Sequence, residues 1–308
     1  MNNFCQNAGD VNVGKIACDT KMGTPVGLIF SYGNTPIPED AGKDLTKMLA
    51  LTQNDSIRSR LYPYCMAFQS VADESTEPTI DTQASTGYTE KLADGSVQWA
   101  IGFPNTVCMG KQLVKLEKAG FSNVFVIANS FIWGIPAPDG KSLQGFPIAN
   151  YYVVGASINT DAVKSAMLHL NLGYIDEFVS RRTAIALDYS ASLIVGLTGY
   201  KLQTVGTPSA SSVSVQLLDP CTGNPMKDLE DDLAEVGAWM VTDATGGATV
   251  TVSGVSYNEV DGTYTLTLTL TEPANAPTLS IRLANPTELE ALGVSGITSE
   301  TLMVPLSK

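Results

Sequence analysis

The stretch Asn123-Val-Phe-Val-Ile-Ala-Asn-Ser-Phe-Ile-Trp-Gly-Ile-Pro-Ala-Pro-Asp-Gly-Lys141, continuing through Phe146 to Tyr151-Tyr-Val-Val-Gly155, decides how the chain is read. An apolar run, a loop rich in Gly, Pro and Asp-Gly, and a second apolar run form the pattern of a long β-hairpin. The loop is placed at Gly134–Gly140, with Trp133 at its mouth beside Phe131 and Ile132. No side chain in the stretch is a recognisable catalytic group, so its apolar cluster is read as a contact patch.

Working towards the N-terminus, Met109, Leu113 and Leu116, with Val114 as a further candidate, recur at helical spacing. Asn105 or Thr106 is placed to cap this helix, Lys118 lies in its last turn, and Gly120 stands just beyond. Before it, Val97, Trp99, Ile101 and Phe103 alternate behind the Asp94-Gly95 turn, which predicts a hairpin strand. Thr79–Glu90 is Thr-rich and reads as an edge or extended segment. From Leu61 to Phe68 every second residue is aromatic or apolar, a further strand. Ala41, Leu45, Met48, Leu49 and Thr52 predict a helix over 39–52, with Glu39 and Asp40 in its first turn. Pro25–Tyr32 is a short strand, and residues 1–24 form an arm.

Towards the C-terminus, Thr160-Asp161 opens a helix or a turn, the turn being preferred ahead of a strand through Leu168, Leu170 and Leu172. Residues 175–187 read as an exposed edge strand, although Glu177 and Arg181-Arg182 also suit a helix. The Ser/Pro/Gly run 206–212 marks a linker. Beyond it, short strands at 213–217, 250–255, 264–270 and 279–283, parted by Gly246-Gly247 and Asp261-Gly262, predict an immunoglobulin-like β-sandwich over 213–308. The expected fold is mainly β: a sandwich- or barrel-like α+β domain over 25–205 with about two helices, then that sandwich.

Composition narrows the function. The chain has 308 residues and a formal charge of −13, a balance that repels nucleic-acid phosphate. Only 16% of residues are charged, which favours protein-covered faces. No apolar run is long enough to cross a membrane, and the N-terminus carries no export signal pattern. The five cysteines, 5, 18, 65, 108 and 221, lack any C-x-x-C pair and are expected as free thiols in a reducing compartment.

Chemistry-bearing motifs are missing. The single histidine, His169, lies among leucines without a serine nucleophile elbow or zinc motif, and a structural role is expected for it. The carboxylate cluster Asp228, Glu230, Asp231 and Asp232 lacks the order of a calcium-binding loop. Arg58, Arg60, Arg181 and Arg182 are the local basic accents, read as solvated surface or as ion pairs across a subunit interface. No cofactor, metal or catalytic residue is implied.

The element order carries a resemblance. An acidic-capped helix precedes Arg58-x-Arg60-Leu-Tyr-Pro63, followed by the Thr-rich segment to Thr86-Gly87-Tyr88, a hairpin with Trp99, and a hairpin from Trp133 to Tyr152. This resembles the virion structural proteins of tailed bacteriophages, particularly tail-tube-like proteins of phages from gut Bacteroidetes. The later Asp219-Pro-Cys-Thr-Gly-Asn224, Trp239 and Asp261-Gly-Thr-Tyr-Thr-Leu266 resemble the immunoglobulin-like domains such phages append to capsid and tail proteins. The resemblance implies a self-assembling, non-enzymatic ring or tube subunit located in the virion, with other virion proteins as partners and the immunoglobulin-like domain displayed outside. Phe131, Ile132, Trp133, Tyr151 and Tyr152 are the candidate interface residues. A capsid-associated protein, or a surface adhesin or carbohydrate-binding module, is the alternative.

Overall fold

The computed structural model describes residues 22–306 except 34, 66–67, 105, 155–165, 228, 230–231, 245 and 270–277. Almost all of the expected N-terminal arm, with Cys5 and Cys18, and the segment opened by Thr160-Asp161 lie outside the described residues. The chain divides into two units between Gly196 and Leu197.

The first unit runs β1 (Gly27–Ser31), β2 (Ile37–Pro38), α1 (Leu45–Thr52), β3 (Leu61–Tyr64), β4 (Ser70–Asp73), β5 (Thr79–Thr82), β6 (Thr89–Ala93), β7 (Ser96–Phe103), α2 (Val107–Ala119), β8 (Asn123–Ala128), β9 (Phe131–Pro136), β10 (Ser142–Gln144), β11 (Phe146–Pro147), β12 (Asn150–Val154), β13 (Ala166–Tyr174), α3 (Ile175–Arg181) and β14 (Thr183–Ala186). An eight-stranded sheet has the order β2-β10-β9-β8-β1-β3, with β11 also on β8 and β14 on β9. A second sheet has the order β12-β13-β7-β4, and among the described strands β5 and β6 pair only with each other.

The opening stretch is split by this topology. Asn129 and Ser130 adopt positive φ, 50° and 59°, and close a two-residue turn between β8 and β9. Left-handed backbone at both turn positions matches the twist of the flanking strands, so a tight turn forms without glycine. The next loop, Ala137–Lys141, joins β9 to β10, and its Asp139 carboxylate accepts from the Lys141 and Ser142 amides at 2.9 and 2.8 Å. Gly134 lies inside β9, and a Cβ there would meet the Gln144 carbonyl at 2.2 Å. The long hairpin from Trp133 to Tyr152 is therefore corrected to two short ones. β12 leaves for the other sheet.

The eight-stranded sheet is covered on both sides. Leu28, Phe30, Val124, Val126 and Trp133 pack towards Ile101, Phe103, Leu168 and Leu170 of the four-stranded sheet, with Leu113 and Leu116 of α2 in the same core. Ile29, Phe125, Ile127, Ile132 and Ile185 face the other way, onto Met48 of α1 and Ala41. The expected helix over 39–52 begins later: a 3-10 turn spans Glu39–Gly42, and Asp44 caps α1 by accepting from the Thr46 amide. α2 is capped as expected, Thr106 accepting from the Met109 amide and Gly120 ending it at φ 69°. The expected edge strand over 175–187 is instead α3 followed by the buried β14. Asp176 and Glu177 in the first turn and Arg181 in the last suit the α3 dipole.

The second unit holds β15 (Thr198–Val205), β16 (Ser212–Leu218), β17 (Trp239–Asp243), β18 (Thr249–Asn258), β19 (Thr263–Thr269), β20 (Thr278–Leu283), α4 (Pro286–Ala291), β21 (Ile297–Ser299) and β22 (Leu302–Pro305). Its sheet order is β21-β15-β16-β19-β18-β17-β20-β22. Setting the short parallel β21 aside, strands one, two, five and four lie together, then three, six and seven. That is the immunoglobulin constant-type order, with a buried tryptophan, Trp239, on the third strand. Trp239 packs on Tyr264 at 5.4 Å and donates its indole N–H to the Leu233 carbonyl at 2.8 Å. The linker at 206–212 is corrected: β15 pairs with β16 from Lys201↔Leu218 to Val205↔Ser214, so most of that run is a hairpin loop within the second unit.

Candidate assembly surface

Alternation along the strands sorts the five expected interface residues. Ile132 and Trp133 are successive residues of β9 and point to opposite faces of a doubly covered sheet, each buried to at least 96%. The Trp133 indole N–H donates to the Ala128 carbonyl at 3.2 Å. Phe131 is half-buried and packs on Trp133 edge-on at 6.1 Å. The proposed contact patch at the hairpin mouth is therefore core, and burial of its apolar side chains within the unit is the reason. Tyr151 also faces inward: its hydroxyl accepts from the Phe121 amide at 3.0 Å and donates to the Leu116 carbonyl at 3.1 Å, tying β12 to the end of α2. Of the five, Tyr152 alone stands in the open, 46% exposed.

Tyr152 belongs to a surface that the sequence reading did not assemble. β12 and β4 are the two edges of the four-stranded sheet, and no described strand pairs with the outer side of either. Residues Ser70, Ala72 and Asp73 of β4, and Asn150, Tyr152 and Val154 of β12, are exposed. The β12 edge is guarded at one point, where the Val153 amide donates to Glu117 Oε1 at 3.3 Å. Between the edges, His169 of β13 ties the sheet's outer face together. Its Nδ1 lies 3.0 Å from Glu74 Oε2, just past β4, and its ring stacks on Tyr152 at 4.8 Å and 9°. The lone histidine is thus placed in a structural bridge.

Titratable groups elsewhere are similarly engaged. Burial pushes the Cys65 thiol up to about 12, which makes it a poor nucleophile. Cys65 is free, whereas Cys108 and Cys221 are disulfide-bonded, which corrects the expectation of free thiols at those two positions. Among the described residues no three His, Cys, Asp or Glu side chains gather to hold a metal, and no helix is long and apolar enough to cross a membrane. Asp228, Glu230 and Asp231 of the sequence's carboxylate cluster lie outside the described residues.

No period-two signal in Ser70–Asp73 announces an edge strand, because its exposed residues are small and polar. The β12 signal is legible as Tyr-Tyr-Val-Val, but the local pattern continues it from the hairpin, whereas the strand joins the four-stranded sheet. No protein-family model matches the chain, and no curated protein matches it either.

Proposed function

We propose that this chain is a structural virion protein of a tailed bacteriophage that self-assembles, a tail-tube or tail-ring subunit carrying an immunoglobulin-like unit. The observation that carries the reading is that, among the described residues, no strand pairs with the outer side of either edge of the four-stranded sheet. Its strands alternate in direction throughout, so β12 and β4 run oppositely. A neighbour related by rotation would then lay its β12 antiparallel beside β4. The patches are different surfaces, so each contact leaves one edge free for the next subunit, the arrangement that closes rings.

Glu117 would give up the Val153 amide to the incoming strand.

Electron microscopy and sedimentation of the purified chain test the proposal. Rings or tubes are expected, and they are expected to disappear in Val154→Lys and Ala72→Lys, which place charges on the two edges without touching the core. A chain that stays monomeric at every concentration tried would overturn it. The immunoglobulin order of the second unit favours a second reading, a surface binding module. A lasting monomer that binds a glycan array would establish that one.

A further inference from the structure

The β5–β6 hairpin is the most exposed element of the first unit. All nine strand residues are exposed, and Ile80, Tyr88 and Leu92 are 58–64% exposed. An isolated two-stranded hairpin is marginal in water. This one also sets two carboxylates directly opposite each other, Asp81 against Glu90, a cross-strand arrangement that repels.

Its two faces differ in what they meet. Ile80 and Lys91 are opposite partners on one face, and the Lys91 ammonium pairs with Asp94 and, at 2.6 Å, with Asp176 of α3. Lys91 thus tethers that face to the unit's own body, while Ile80 beside it stays exposed. By the period of two, Asp81 and Glu90 project from the other face, away from this anchor, while the register shifts at Leu92, between the Ile80↔Lys91 and Thr79↔Ala93 pairs, so the alternation ends there. Neither Asp81 nor Glu90 makes an ion pair among the described residues. At the far end of α3, Arg181 and Arg182 are both exposed and likewise make none.

We infer that the β5–β6 hairpin docks a second copy of this chain, its Asp81/Glu90 face seated on the Arg181-Arg182 pair of that copy. Adjacent guanidinium groups are the complement that two opposed carboxylates need, and bringing them together relieves repulsion on both sides. The donor and acceptor patches are distinct, so this contact is head-to-tail, like the edge pairing. The inference rests on the self-assembly reading and adds to it a charged contact separate from the sheet edges.

Charge reversal in the full-length chain tests it, with assembly followed by sedimentation against concentration. Asp81→Lys with Glu90→Lys, and separately Arg181→Glu with Arg182→Glu, are each expected to raise the half-assembly concentration by about tenfold or more. The four-fold variant, with the charges exchanged, is expected to return to within about threefold of the parent. Circular dichroism melting should be unchanged in all three, because every altered residue is exposed. A parent chain that assembles and is indifferent to the hairpin reversal would overturn this inference alone, leaving the edge pairing standing. Loss on hairpin reversal without rescue by the exchange would overturn the arginine assignment. A parent that never assembles would overturn the reading beneath it.

Discussion

β8 buries all six of its residues, whereas β13, in the other sheet of the same unit, buries every second one. The difference lies in what covers each sheet. β8 sits between the α1 layer and the four-stranded sheet, so both of its faces are dry and Asn123-Val-Phe-Val-Ile-Ala is apolar almost throughout. β13 has one dry face, Leu168, Leu170 and Leu172, and one carrying His169 and Asn171. A doubly covered sheet has no face left to offer a partner. A singly covered sheet with open edges does.

Substitutions can break or sharpen that contrast. Phe125→Ala in β8 should destabilise the first unit most, by about 3–5 kcal/mol, because a fully buried ring leaves a cavity. A urea titration measures it, and a cost under about 1 kcal/mol would mean the α1 side is loosely packed. Gly134→Ala in β9 comes next, at about 1–3 kcal/mol, since the added methyl drives backbone against the Gln144 carbonyl. Tyr152→Ser on the open face should cost less than about 1 kcal/mol of stability while weakening assembly. Equal destabilisation by Tyr152→Ser and Phe125→Ala would erase the distinction between the sheets.

The smallest effect concerns the hairpin anchor. The hydrogen bond from Lys91 holds the Asp176 carboxyl below its usual range of about 3.8. A depressed carboxylate contributes stability that is present above its unfolded value and lost as pH falls through its folded one. Hydrogen-exchange protection in Thr79–Ala93, taken relative to the intrinsic rate at each pH, is therefore expected to fall below about pH 4, and in Asp176→Asn at neutral pH, with the global melting temperature unmoved. Unchanged exchange in Asp176→Asn would show that Lys91 holds the hairpin through Asp94 instead.

What could be read in the chain followed periodicity and capping. α2 announced itself through Thr106 and Gly120, and the second unit through its alternating Thr-rich strands and Trp239. The misreadings share a cause: local pattern does not say which sheet a strand joins. Asn129-Ser130 carries no glycine and gives no turn signal, whereas the loop one strand later, Ala137–Lys141, carries Pro-Asp-Gly and reads as the turn of the hairpin. Trp133, read as exposed, is buried because β9 has neighbours on both sides and both faces. Tyr152 kept its place on the surface for the opposite reason, its strand being last in its sheet.

The β12-β13-β7-β4 sheet has an even number of strands, and that parity has a consequence for how the protein can vary. Any assembly that joins its edges keeps an unbroken antiparallel pattern only if strands are gained or lost two at a time. A single added strand would bring like-directed edges together and change every junction at once. Hairpins are thus the unit in which such a subunit can grow, and β5–β6, inserted between β4 and β7 without disturbing their pairing, has that form.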